Sequence, residues 1–217
     1  MRIGIIGAGN IGGNLARRLG PLGHDVRVAN SRGPETLPEL AAVDGVTPVA
    51  AADAAEGAEL VIVTIPLARV QDLPSDLLDA AAEGAVVIDT NNYYPQQRDG
   101  RLDAIEDGQP ESAYVAEQLG RPVVKAFNGV YAQKILDVGE PGADGFAVPV
   151  AGDDPEAKRV VLDLVAQLGF DPVDAGTIDE SWRQQPGSPS YGLMTDADGL
   201  REALAAASPE RTPEWKA

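Results

Sequence analysis

The chain has no cysteine and a single histidine among 217 residues. Disulfides, thiolate nucleophiles and thiolate metal ligands are therefore excluded, and a structural zinc site has too few donors. Cations are also sparse: 17 Lys and Arg stand against 34 Asp and Glu, a net charge of −17. Nucleic acid needs a basic stripe facing its phosphates, so it is excluded as a partner. No apolar run approaches the ~20 residues of a membrane span, and the N-terminus reads as a strand rather than a secretory leader. The expectation is a cytoplasmic protein with neither a nucleic-acid nor a membrane partner. A hydrophobic content of 44% is that of a globular chain able to bury a substantial core.

What is present is concentrated near the start. An apolar strand, Ile3-Gly4-Ile5-Ile6, runs into the turn Gly7-Ala8-Gly9-Asn10-Ile11-Gly12 and then a helix to Leu19. In a dinucleotide site the glycines serve the tight turn, the close approach of pyrophosphate and the packing of helix on strand. The helix directs its free N–H groups and positive dipole end at the phosphates. A second strand, Val26 to Ala29, ends in Asn30-Ser31-Arg32, where an NAD site usually carries Asp or Glu for the ribose 2′-hydroxyl. A hydroxyl and a guanidinium suit a 2′-phosphate instead, because Arg offers a fork of donors and a permanent charge. The expected cofactor is NADP(H).

Strand and helix patterns alternate along the chain, predicting a Rossmann-type, doubly wound α/β fold with a mostly parallel sheet. Further strands are expected at Val46–Val49, Leu60–Ile65, Val86–Asp89, Val123–Phe127, Ala147–Val150 and Asp171–Val173, and a long helix at Pro155–Leu168. The stretches Asn91–Pro110 and Gly139–Gly145 read as irregular. Residues 1–178 are expected to form the NADP-binding domain. Residues 179–217 are expected to form a C-terminal extension in which an ordered loop and a short helix cover the second-substrate crevice. Ser208–Ala217 reads as a frayed end. No further helical domain follows, so the second substrate is expected at the carboxyl ends of the strands.

Those ends name the candidate residues. Strand four ends in Thr64-Ile65-Pro66-Leu67, where Ile65, Pro66 and Leu67 would border the adenosine and ribose, although proline there also suits a helix start. The polar run Asp89-Thr90-Asn91-Asn92-Tyr93-Tyr94 follows strand five, and its amides suit either a ribose or carboxamide, or a loop cap. Lys125 in an apolar strand is costly unless paired, which favours structure over a site role. Asn128 at the mouth is the better cofactor candidate. His24 lies at the amino end of the sheet, far from the crevice. Tyr93, Tyr94, Tyr131 and Tyr191 are possible proton donors without a pairing signature. No residue is therefore expected to act as a catalytic acid or base and no metal is expected, which points to hydride exchange between two redox cofactors, where positioning is most of the protein's contribution.

The glycine turn, Asn30-Ser31-Arg32, Thr64-Ile65-Pro66 and Val123–Asn128 together resemble the family of NADP-dependent coenzyme F420 oxidoreductases. Val148–Lys158 and Gly169–Gly176 carry the same resemblance. Its fold is shared with the reductase domain of the six-transmembrane metalloreductases. The resemblance implies NADP(H) bound by Gly7, Gly9, Asn10, Ile11, Gly12, Ser31 and Arg32, with the nicotinamide near Asn91, Ala126 and Asn128. It also implies a homodimer and a coenzyme F420 or flavin-like small-molecule partner stacked in the crevice. The sequence departs from the family at Asn91–Tyr94 and Trp182–Tyr191. An NADPH-dependent reductase of a small carbonyl or imine, or a non-catalytic NADP-sensing module, are the alternatives.

Replacing Arg32 with alanine is expected to weaken NADPH by roughly 1.5–3 kcal/mol, the worth of hydrogen bonds to a charged group, and to leave NADH nearly unaffected. Calorimetric titration with both nucleotides checks this, and equal losses would contradict the 2′-phosphate assignment.

Overall fold

The glycine turn is where the fold is decided, because backbone there comes closer than any side chain permits. Gly7 holds φ +114°, and a Cβ on it would press onto the Thr64 carbonyl. A Cβ on Gly12 would press onto the Gly7 carbonyl and lie 2.6 Å from Thr64 Cγ2. These two glycines let the first helix seat against the first and fourth strands.

The computed structural model describes residues 1–138 and 146–217, so the irregular stretch expected at Gly139–Gly145 lies outside the described residues. The strands are β1 (Arg2–Ile6), β2 (Asp25–Ala29), β3 (Val46–Pro48), β4 (Leu60–Val63), β5 (Val86–Asp89), β6 (Val124–Lys125), β7 (Ala147–Val150) and β8 (Asp171–Asp174). The helices are α1 (Asn10–Leu19), α2 (Pro38–Ala41), α3 (Asp103–Glu106), α4 (Glu111–Leu119), α5 (Ala132–Asp137), α6 (Pro155–Gln167) and α7 (Ala197–Ala205). Six strands form one sheet in the order β3-β2-β1-β4-β5-β6, and every pairing in it is parallel. This is the Rossmann-like α/β fold read from the sequence. The order reverses between β1 and β4, which opens a crevice at their carboxyl ends.

Each face of the sheet buries its own core, as parallel sheets require. On one face Ile3, Ile5 and Ile62 pack with Leu15 and Leu19 of α1, Ile135 of α5 and Leu164 of α6. On the other, Val61, Val63 and Val87 pack with Tyr114 and Val115 of α4 and Ile105 of α3. Helix α6 begins where Asp154 accepts from the Glu156 and Ala157 amides, with proline at its first turn, a sequence-legible start.

Four expectations are corrected. The seventh and eighth strands do not join the main sheet but form a separate parallel pair, tied to it by an antiparallel bridge between Lys125 and Ala151. Strand four stops at Val63, two residues early, as the chain turns toward Pro66. The sixth strand is only Val124–Lys125, because Phe127 takes a left-handed φ of 62° and bends the chain away. Such a conformation costs a bulky residue energy and persists only where packing imposes it; Phe127 is buried edge-on to Phe170. Nor is the C-terminus frayed. Arg211 pairs with Glu111, and the Gln96 side-chain amide donates to the Lys216 carbonyl at 3.0 Å.

Gly12→Ala is expected to destabilise the protein by about 1–3 kcal/mol, the usual cost of overpacking. Thermal denaturation checks this, and an unchanged midpoint would contradict the close packing of α1 on the sheet.

Candidate functional site

At the carboxyl ends of β1, β2 and β4 lies a cavity of about 620 Å³. Gly7 and Gly9 form its floor, Asn30, Ser31 and Arg32 one wall, and Ile65, Pro66 and Arg69 the other. Asn30 shapes the turn: its Oδ1 accepts from the Arg32 amide and its Nδ2 donates to Thr36, both at 2.9 Å. Ser31 and Arg32 are thereby presented exposed at the rim. Other arginines nearby are committed, Arg69 to Asp72 at 2.8 Å and Arg17 to Glu39 at 3.3 Å. A Cβ on Gly9 would meet nothing within 4 Å; its small size leaves room for a ligand rather than for neighbouring protein.

A second cavity of about 240 Å³ continues from the first past Gly9, Asn10, Ile11, Ile65 and Pro66. Its far wall is Thr90, Asn91, Asn92, Tyr94 and Arg98, from the segment after β5. Asn91 is held by its surroundings. Its Oδ1 accepts from the Ile65 amide at 2.9 Å, its own amide donates to Asp89, and its carbonyl accepts from Lys125 Nζ at 3.0 Å. Because the Ile65 amide can only donate, the side-chain oxygen must face it, and Nδ2 is left over. That nitrogen is buried without a partner among the described residues. A buried donor left unpaired costs on the order of 1–3 kcal/mol, so an acceptor supplied by a ligand would relieve it.

Behind Asn91 sits a group of buried charges. Lys125 Nζ lies 3.6 Å from Asp89 and 3.9 Å from Glu111, and all three side chains are fully buried. Ser112 donates to Asp89, and Arg211 from the C-terminal segment pairs with Glu111. Burial pushes the Glu111 carboxyl up from its ordinary range, while Lys125 and Arg211 pull it down. Two cations against two carboxylates leave the group formally neutral. Lys125 is thus paired, as burial demands, and it fixes Asn91 by its backbone rather than reaching the cavity.

The structure brings together Gly7, Gly9, Asn10, Ile11, Ser31, Arg32, Ile65, Pro66 and Asn91 around the two cavities. It does not bring the others there. Gly12 is in helix packing, and Leu67 and Ala126 are fully buried core residues. Asn128 is buried, and its Nδ2 donates to Asn92 Oδ1 and the Gln184 carbonyl. Of the three residues expected near the nicotinamide, Asn91 lines the second cavity, and Ala126 and Asn128 do not. Sequence reasoning did not single out Thr64, Thr90, Arg69 or Arg98 as binding residues. Arg98 arrives because Asp99 accepts the Tyr94 amide at 2.8 Å and closes a π-type turn over Pro95–Asp99; an Asp closing a turn is a weak signal. The described residues hold no cluster of potential metal ligands, and no helix among them is long and apolar enough to cross a membrane.

Residues 2–93 match the family model described as NADP oxidoreductase, coenzyme F420-dependent. A structure of protein SMa0349 from Sinorhizobium meliloti superposes with a TM-score of 0.73 at 30% identity, over 89% of this chain and 94% of that one. A protein from Arthrobacter sp. FB24, provisionally assigned as an F420-dependent NADP reductase, gives 0.66 at 27% identity, over 82% and 86% of the two chains. The rat metalloreductase STEAP3 is 30% identical over 182 residues, 82% of this chain and 34% of its own length. The chain spans less than half the length of the curated relatives it matches.

Two variants separate cradle from scaffold. Gly9→Ala is expected to melt like the wild type yet to bind NADPH at least roughly tenfold more weakly, since each 1.4 kcal/mol is a factor of ten. Unchanged binding in a titration would remove Gly9 from the cradle. Lys125→Met is expected to lose about 3–5 kcal/mol in chemical denaturation, because two buried carboxylates lose a partner; a loss under 1 kcal/mol would contradict the pairing.

Proposed function

The chain belongs to the NADP oxidoreductase family described as coenzyme F420-dependent, and on that premise we propose that it moves a hydride directly between NADP(H) and a deazaflavin or flavin-like acceptor. Ser31 and Arg32 would take the 2′-phosphate, and the Gly7–Gly12 turn with the first amides of α1 the pyrophosphate. Ile65 and Pro66 would border the adenosine side, and the nicotinamide half would enter the smaller cavity. The observation that carries this reading is Asn91, which lines that cavity, is held there by Ile65, Asp89 and Lys125 and keeps a buried Nδ2 without a partner, a donor suited to a ribose hydroxyl or a carboxamide oxygen. When bound, the cofactor supplies a hydride and its electron pair. The protein's part is to fix the nicotinamide end through a rigid Asn91 and to hold an acceptor beside it. Positioning of this kind accounts for a large share of rate enhancement when no covalent step is needed.

A second reading, reduction of a small carbonyl or imine, is favoured by the tyrosine pair Tyr94 and Tyr191 beside the smaller cavity. The same proposal takes the protein to be a cytoplasmic homodimer, and sedimentation of the purified protein checks the assembly.

The test is NADPH oxidation by purified protein with coenzyme F420, FMN, FAD and a panel of carbonyls and imines. Rapid turnover confined to F420 or the flavins is expected. Turnover with carbonyls or imines alone would replace the first reading by the second, and NADPH binding without any turnover would make the protein a sensing module.

A further inference from the structure

Resting on that reading, we infer that Tyr94 is the proton donor to the acceptor, with Tyr191 and Arg98 holding it for that task. Reduction of a flavin-like ring, a carbonyl or an imine adds a hydride to one atom and a proton to a heteroatom conjugated with it. The hydride side of the site is accounted for above; the proton side is not.

Five tyrosines are present, and the structure distinguishes them. Tyr114 of α4 is buried in the core. Tyr93 is fully buried, accepts from the Leu102 amide at 3.0 Å and has its ionisation pushed up to about 12 by burial. Tyr131 is exposed and lines neither cavity. Tyr94 alone among them lines the smaller cavity, and its hydroxyl is hydrogen-bonded to that of Tyr191. His24 cannot serve instead, since it bonds to Gln167 at 3.0 Å on the far side of the fold from the crevice. Lys125, Asp89 and Glu111 are occupied with one another.

Position decides which member of the pair gives up a proton, since Tyr94 lines the cavity and Tyr191 does not. Tyr191 is held against ionisation, first by burial and then by the neighbouring Tyr94 hydroxyl. It therefore keeps its own proton and donates to Tyr94 when Tyr94 carries negative charge. The Arg98 guanidinium carbon sits 4.9 Å from the Tyr94 ring centroid, where a cation is attracted to the ring face and more strongly to a phenolate. Asp99 and the Asn92 carbonyl hold Arg98 there, at 2.9 and 2.6 Å. Trp215 packs 6.0 Å from the Tyr94 ring and 6.4 Å from that of Tyr191, so the C-terminal segment braces the pair. In the balanced step the electrophilic atom of the acceptor, a ring atom of a flavin-like acceptor or the carbon of a carbonyl or imine, takes the hydride and its two electrons from the dihydronicotinamide, and the displaced π pair moves onto the heteroatom bonded to or conjugated with it. The heteroatom takes the Tyr94 proton. The oxidised cofactor, the reduced acceptor and a Tyr94 phenolate result, and solvent returns the proton as product leaves.

Tyr94→Phe and Tyr191→Phe, each beside the wild type, test this. For each, NADPH Kd is measured by fluorescence titration, and kcat and KM with every acceptor the wild type reduces. Tyr94→Phe is expected to lose about 100-fold in kcat, within the usual range for general acid catalysis, with NADPH Kd and acceptor KM unchanged and partial rescue by a weak-acid buffer. Tyr191→Phe is expected to lose about tenfold, again in kcat alone. An unaltered kcat in Tyr94→Phe overturns the assignment, as does a loss confined to NADPH Kd, which would make Tyr94 a cofactor ligand. A wild type that reduces no acceptor overturns the proposed function, and the assignment with it. Loss of kcat with flavin-like acceptors or with carbonyls and imines identifies which heteroatom Tyr94 serves.

Discussion

Lys125 anchors the second cavity. An ammonium group with no exposure to water is tolerable only among carboxylates and carbonyls that replace its hydration. Asp89 at the end of β5, Glu111 at the start of α4 and the Asn91 carbonyl supply them. Through these contacts one side chain on β6 fixes the segment that follows β5, and that segment forms the far wall of the second cavity. Arg211 extends the arrangement to the C-terminus by pairing with the same Glu111 and lying 5.2 Å over the Tyr93 ring. Lys125 is the shared member: without it Asp89 loses its counter-ion and Glu111 keeps Arg211 alone.

The site above it is built from two different kinds of rigidity. Around the larger cavity backbone geometry dominates: Gly7 and Gly12 allow α1 to approach β1 and β4, and the open face of Gly9 leaves a cradle. Around the smaller cavity side-chain hydrogen bonds dominate, and Asn91 is held until one donor is left over. The strong negative charge of the chain is compatible with an anionic cofactor because the cations are placed locally. Arg32 stands at the rim of one cavity and Arg98 on the wall of the other, while most carboxylates are solvated.

Local chemistry was legible in the sequence, and long-range packing was not. The glycine turn, the first two strands and the Asp154 cap each depend on residues a few positions apart, and they appear where the pattern puts them. Asn128 looks like a site residue because it follows a strand, and the family resemblance implied Ala126 beside it, but the Gln184 carbonyl, 56 residues away from Asn128, accepts from its amide and closes that position. The expected fraying of Ser208–Ala217 failed for the same reason. Its polar composition suggests a loose tail, yet Arg211 and Trp215 find partners near residue 100 that no local pattern reveals. Asn91 was legible as an amide after a strand; that its Nδ2 would be the unpaired atom depended on the Ile65 amide.

A crystal structure of the protein with NADP⁺ bound tests the account most directly. The account predicts the 2′-phosphate between Ser31 and Arg32, the pyrophosphate against the Gly7–Gly12 turn and an oxygen of the nicotinamide riboside within hydrogen-bond distance of Asn91 Nδ2. A nicotinamide turned away from Asn91 and Tyr94, or a 2′-phosphate that does not touch Arg32, would contradict it.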